Sequence, residues 1–299
     1  MHIETLKTFC DLVETGSLSR AALLNRVSQS AVSQQLGALE RRYGHRLVDR
    51  APRVGARPTE AGRLLYDEVK PFLLRLAAVE ERMRARPGVV AGTVAVATVY
   101  SVGLHTLPAA IKRCLADHPK VHVRLSYRRT NEVYGACLAG EVDFGIVALP
   151  ARRPQLEIVP LGHDDLVVVG PPGHPAVRRA RCPLSALDGQ PFIGFDRDIP
   201  TRRFVDRLLR RHGVRATYVM ELDNVETIKR SVEAGLGLSI LPAPTLAAEL
   251  RARTLIARPP AEGPFHRPIG AIHRRGREMS AAARAFLSLL GAELGPRRA

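Results

Sequence analysis

Apolar positions at Leu6, Phe9, Cys10 and Val13 recur at i, i+3, i+4 and i+7, which predicts an amphipathic helix stopped by Gly16. A second short helix with Ala21, Ala22 and Leu24 follows, with Ser19 placed to cap it. A brief turn through Arg26 and Val27 leads to Ser28, a second N-cap, and then to an apolar stripe of Val32, Leu36 and Leu39. Three short helices with a tight turn between the last two form a helix-turn-helix pattern. The opposite face of the third helix carries Gln29, Ser30, Ser33, Gln34 and Gly37, small or hydrogen-bonding residues suited to base edges in a major groove. An ordinary solvated face is the alternative. The next segment, His45 to Pro58, holds Arg46, Arg50, Arg53 and Arg57 between Pro and Gly residues and reads as a basic hairpin or wing beside the phosphates.

Thr59 then caps a long helix. Leu65, Phe72 and Val79 are spaced by seven, as are Val69, Leu76 and Met83, and together they form a heptad seam flanked by charged residues. Such a seam suits dimerisation, although burial within one domain produces a similar stripe. Pro71 lies off the seam and should bend the helix.

Arg84 to Gly88 reads as a hinge, after which short β-rich runs alternate with helical stretches, the pattern of parallel strands joined by crossover helices. Strands are expected at 93–98, 121–127, 142–147, 164–170, 192–195, 217–221, 236–241 and 268–273. Helices are expected at 102–117, 131–139, 201–212, 224–234, 244–251 and 279–291. Ligands of open α/β sheets settle at strand carboxyl ends, where helix N-termini offer free N–H groups. Thr98 and Ser101, Thr130 and Asn131, Thr201 and Arg202, and Asn224 stand at four such junctions. Each could be a plain helix cap, but their convergence on one cleft would make an effector site. Arg128, Arg129 and Arg202 would favour an anion there.

The chain has 299 residues, enough for two or three cores, and its 45% hydrophobic and 25% charged composition is globular. No apolar run approaches the roughly 20 residues of a membrane span, and the N-terminus lacks a secretory signal pattern, so a cytoplasmic protein without membrane contact is expected. The formal charge of +16 permits binding to polyanions. Only part of it lies in the reader: residues 1–62 hold 9 Lys/Arg against 6 Asp/Glu, whereas residues 92–299 hold 30 against 19. Cys10, Cys114, Cys137 and Cys182 form no C-x-x-C pair, and Cys182 alone, after a loop, is a candidate for redox reactivity. No hydrolase or zincin motif is present and the ten His are scattered, so no enzyme, metal or cofactor is expected. His174, between Gly173 and Pro175, reads as part of a turn rather than as a catalytic base.

The runs Ser17 to Ala22, Val27 to Leu36, Leu39-Glu40 and Thr59-Glu60-Ala61-Gly62 resemble the DNA-binding domain of the LysR-type transcriptional regulators over about the first 86 residues. Gln34, Gly37, Val48 and Asn25 depart from residues common in that family. The segments Thr98 to Ser101, Thr130-Asn131, Gly140 to Val147, Pro200 to Arg202 and Val232 to Pro242 are similar to its effector domain, and Asp223 to Lys229 looks like members governing sulfur or carbon assimilation. The resemblance implies an α + α/β architecture. A winged helix-turn-helix (1–58), a linker and dimerisation helix with its hinge (59–88) and a two-lobed periplasmic-binding-protein-like effector domain (89–299) would follow one another. Lobe I would comprise about 89–161 and 266–299, and lobe II about 162–265. It implies double-stranded promoter DNA read by Ser28, Gln29, Ser30, Ser33 and Gln34, with Arg50, Arg53 and Arg57 near the backbone. It further implies a small-molecule effector held by Thr98, Tyr100, Ser101, Thr130, Asn131, Thr201, Arg202 and Asn224, in a homodimer or homotetramer. The competing readings are an effector-independent architectural DNA-binding protein and a transport binding protein.

Overall fold

The computed structural model describes residues 2–51, 55–84 and 90–294, which divide into two compact units at Arg84. In the N-terminal unit, α1 (Ile3–Thr15) ends at Gly16 in the left-handed conformation, α2 (Leu18–Asn25) is capped by Ser17 and α3 (Gln29–Tyr43) by Ser28. The cap of α2 is therefore Ser17 rather than Ser19, whose exposed hydroxyl instead donates to Gln29 Oε1 at 3.3 Å. Leu6, Phe9, Leu12, Ala21, Val32, Leu36 and Leu39 form one core, closed by Leu47 and Val48. β1 (Val48–Ala51) and β2 (Gly55–Pro58) pair antiparallel as the wing.

The long helix α4 (Glu60–Arg84) contains Pro71. Its first turns belong to this unit, because Ala61, Leu65, Tyr66, Val69 and Leu73 pack on the helix-turn-helix core. Leu65 and Val69 are thus committed within the chain, which shortens the free part of the heptad seam. Further along, Phe72, Val79 and Met83 are exposed in the single chain.

The C-terminal unit is built on β3 (Gly92–Thr98), β4 (Val121–Tyr127), β5 (Phe144–Ala148), β6 (Leu156–Gly170), β7 (Pro191–Phe195), β8 (Thr217–Leu222), β9 (Ser239–Pro242), β10 (Ile256–Arg258) and β11 (Phe265–Arg274). The helices between them are α5 (Tyr100–Gly103), α6 (Leu107–Asp117), α7 (Thr130–Ala139), α8 (Pro200–Arg211), α9 (Val225–Glu233), α10 (Ala247–Ala252) and α11 (Ala281–Leu294). β6 starts well before the anticipated strand at 164–170, β10 was not anticipated, and the helix expected over 102–117 breaks into α5 and α6.

A seven-stranded sheet runs β10-β6-β11-β5-β3-β4, with β9 also on β6, while β7 and β8 pair separately. β3 is parallel to β4 and β5, as βαβ connections require, whereas β11 is antiparallel to β5 and β6. The long strands β6 and β11 run through both lobes, and their register shifts where Gly162 pairs with Ile269 and Pro160 with Gly270. Leu161 is the extra residue at that bulge and enters the lobe I core. In lobe I, α6 and α11 cover one sheet face through Leu107, Phe286 and Leu290, and α7 covers the other through Val133 and Cys137. In lobe II, α8 and α9 cover opposite faces through Val205 and Leu209 and through Ile228 and Val232. No described helix is long and apolar enough to cross a membrane.

Candidate DNA-reading surface and effector cleft

The reading surface begins at the N-terminus of α3. Ser28 Oγ accepts from Ala31 N at 3.1 Å and lies 2.8 Å from Ser30 Oγ, so the cap also holds the neighbouring hydroxyl. Ser28, Gln29, Ser30 and Gln34 are exposed and Ser33 is half-buried, while Val32, Leu36 and Leu39 turn inward. At the far end of α3, Glu40 Oε1 accepts from the backbone N–H of Leu47 at 2.9 Å and Val48 at 3.4 Å, tying that helix to the wing. Arg57 is exposed on β2 opposite Asp49, and Arg50 is paired with Ala56. Arg53 lies outside the described residues.

Three local features tie the elements of this unit together. Thr59 Oγ1 donates to Arg46 O at 2.7 Å and accepts from Gly62 N at 3.0 Å, capping α4 and anchoring it to the wing. A Cβ on Gly62 would stand 1.9 Å from Leu47 O, so only glycine fits there. Asn25, the departure in α2, donates to Asp11 Oδ2 at 2.8 Å and accepts from Lys7 Nζ at 3.2 Å, linking α2 to α1 by polar contacts.

In the C-terminal unit a cleft of about 530 Å³, part of it open to solvent, lies between the two lobes. Four helix N-termini meet there: Tyr100 and Ser101 on α5, Thr130 on α7, Pro200 and Thr201 on α8, and Asn224 before α9. Asn224 Oδ1 already accepts from Glu226 N at 2.8 Å and Thr227 N at 3.2 Å, so it serves as a helix cap at the cleft wall.

Of the eight residues singled out in the sequence, Tyr100, Ser101, Thr130, Thr201 and Asn224 line the cleft, whereas Thr98, Asn131 and Arg202 do not. Thr98 is fully buried and donates to Val99 O at 3.3 Å, and Asn131 is exposed on the first turn of α7. Arg202 is the substantive correction. Its buried guanidinium donates to Asp206 and to Phe195 O at 2.8 Å and stacks 3.5 Å from the Tyr218 ring centroid. It braces lobe II and does not line the cleft.

Arg128 and Arg129 do line the cleft, as does a third cation that was not singled out, Arg267 on β11. It is 1% exposed. Nη1 donates to Ser101 Oγ of lobe I at 3.2 Å and to Thr201 Oγ1 of lobe II at 3.3 Å, and Nη2 is paired with the buried Asp164. Its Nε is buried without a partner. One sequence signal could have found it: Arg267 shares strand parity with the inward-facing Ile269 and Ala271.

At the cleft mouth Arg129 pairs with Asp196 and lies 3.4 Å from Asp198, joining the lobes. A second link sets His105 Nε2 2.7 Å from Glu226, which also meets the buried Lys229 at 2.9 Å. Lys229 in turn holds Glu249 and Thr245 O, each at 2.9 Å. Arg128 is held 2.8 Å from Glu141. All four cysteines are buried, and burial pushes the Cys182 thiol up to about 11, the reverse of a reactive thiolate. His174 is half-buried and its Nδ1 accepts from Ala176 N at 3.2 Å, the turn-forming role its neighbours suggest.

A winged helix-turn-helix in one unit and a two-lobed α/β domain with a central cleft in the other define the fold class of bacterial transcriptional regulators with an effector-binding domain. The first 60 or so residues match the bacterial regulatory helix-turn-helix protein model of the lysR family over residues 3–63, and residues 87–295 match the LysR substrate binding domain. The chain belongs to the LysR family of transcriptional regulators. It is 33% identical over 291 residues to the uncharacterized HTH-type transcriptional regulator YeiE of Escherichia coli K12, covering 96% of this chain and 97% of that one. Among solved structures, full-length CbnR complexed with its target DNA superposes with a TM-score of 0.76 at 22% identity, covering 98% of this chain and 99% of that one. The regulatory domain of CcmR from Synechocystis PCC6803, in complex with 2-PG, superposes with a TM-score of 0.63 at 25% identity, covering 69% of this chain and 99% of that one.

Proposed function

We propose that this regulator binds specific promoter DNA in the cytoplasm and is switched by a small anionic effector, a carboxylate or phosphate, held in the cleft between its lobes. The observation that carries this reading is Arg267, which touches a hydroxyl of each lobe inside the cleft. Asp164 offsets that charge, so the anion is recognised by the hydrogen-bond donors around it: Ser101, Thr130, Thr201 and the helix N-termini. The complex of CcmR with 2-PG supports a ligand of this class. Ser28, Gln29, Ser30, Ser33 and Gln34 then read bases, and Arg50, Arg53 and Arg57 contact phosphates. The exposed stretch of α4 with Phe72, Val79 and Met83 pairs two copies, and two such dimers assemble as a tetramer. Each dimer sets its recognition helices roughly 34 Å apart on successive grooves.

The test is fluorescence anisotropy with DNA from upstream of the protein's own gene and a scrambled control, at two salt concentrations, with and without small carboxylates and phosphates including 2-PG. Selective binding that shifts with one of these anions supports the proposal. Equal, steeply salt-dependent binding to both DNAs, unmoved by any anion, would establish the architectural reading instead.

A further inference from the structure

The two strands that carry Asp164 and Arg267 into the cleft present a different set of residues on their reverse face. Side chains alternate along a strand, so His163 and Asp165 flank Asp164 on the opposite face of β6, and His266 does the same beside Arg267 on β11. His266 is directly paired with Asp165, and His163 lies diagonally across. His266 Nδ1 is 2.6 Å from Asp165 Oδ1, His163 Nε2 is 4.0 Å from the same oxygen, and the two imidazole rings lie 4.2 Å apart. One ligand atom from each residue falls within a common 4.8 Å, and all three side chains are exposed. Among the described residues this is the one such cluster.

We infer that His163, Asp165 and His266 form a binding site for a borderline divalent transition metal ion such as Zn2+, Co2+ or Ni2+. Two neutral imidazoles and a carboxylate suit these ions better than Ca2+ or Mg2+, which prefer all-oxygen shells. A tetrahedral ion with bonds of about 2.0–2.1 Å needs ligand atoms roughly 3.3 Å apart, within the range these atoms span. Small rotations of exposed side chains close the difference, and solvent completes the coordination. The sequence conceals the site because His266 is distant in the chain from the His163–Asp165 pair, and only strand register joins them. The ion would cross-link β6 and β11 on the back of the strands that connect the lobes. This site is separate from the effector cleft and does not depend on the effector reading.

Titrate the metal-free full-length protein with ZnCl2 by isothermal calorimetry, and with CoCl2 while recording visible absorption. Each of His163→Asn, Asp165→Asn and His266→Gln is compared with the parent and with His122→Asn, which alters an exposed histidine on β4. The expected result is one equivalent bound with micromolar affinity and a Co2+ ligand-field band for the parent and the His122 variant. Affinity should fall at least about tenfold and the band should be lost in the three site variants. Binding only in the millimolar range, or site variants that bind like the parent, would overturn the inference and leave His266–Asp165 as an ordinary cross-strand ion pair. The changes are on an exposed face, and circular dichroism verifies that each variant is folded.

Discussion

Asp164 and Arg267 occupy directly opposed positions on β6 and β11, and their side chains form an ion pair inside the cleft. Both are buried, so the pair is worth most when intact and leaves an uncompensated charge when halved. Arg267→Met should lower the stability of the effector domain by about 3–5 kcal/mol, while the double change Arg267→Met with Asp164→Leu should recover much of that loss. Urea denaturation followed by circular dichroism measures both. A double variant no more stable than the single one would show that Asp164 is not left unpaired by the loss of Arg267.

Gln29 and Gln34, proposed base readers on α3, and Arg57, the proposed phosphate contact on the wing, are all exposed, and they predict different effects on specific and scrambled DNA. Gln29→Ala and Gln34→Ala should each weaken the specific site by about 1–3 kcal/mol while leaving scrambled DNA unaffected. Arg57→Ala should weaken both DNAs alike and reduce the slope of log K against log salt by about 0.9. Anisotropy titrations over a salt series distinguish the two patterns.

Gly62 packs against the Leu47 carbonyl, with no room for a Cβ. Gly62→Ala must displace either α4 or the wing strand and should cost the N-terminal unit at least about 1–3 kcal/mol. Thermal melts should show the loss in that unit, accompanied by weaker DNA binding, with the effector domain unchanged.

Burial works against a charged Glu226, but hydrogen bonds from Lys229 and His105 outweigh it and hold the carboxyl below the ordinary glutamate range. A lowered folded-state pKa contributes stability that is complete above the unfolded value of about 4.3 and is lost as pH falls through the folded value. The effector domain should therefore lose stability in acid, and Glu226→Gln should flatten that part of the profile. Melting temperatures between about pH 7 and pH 3 provide the comparison; parallel profiles would exclude Glu226 as a contributor.

Burial raises the Cys182 thiol to about 11 and the Cys10 and Cys137 thiols to about 12. With Cys114 also buried, the native protein should resist an aromatic disulfide reagent at neutral pH, and all four cysteines should react after denaturation. Rapid labelling of native Cys182 would contradict this.

Local sequence determined the helices of the reader and most of the element order of the sensor, apart from β10 and the break between α5 and α6. Caps such as Ser28 and stops such as Gly16 act within a few residues, and the stripe Val32, Leu36, Leu39 needs only helical periodicity to declare its buried face. Alternation of strands and helices likewise showed where four helix N-termini would begin, and five of the eight residues named there line the cleft. Tertiary structure decided which charges enter it. Arg202 and Arg267 look alike in sequence, but Arg202 sits on the third residue of α8, turned toward Asp206 and Tyr218 in lobe II. Arg267 instead meets Asp164, 103 residues away, because β6 and β11 pair antiparallel in one register. The same register assembles His163, Asp165 and His266, and packing on α1 to α3 removes Leu65 and Val69 from the seam on α4. Periodicity specifies the face on which a side chain lies, whereas its partner depends on which distant strand or helix covers that face.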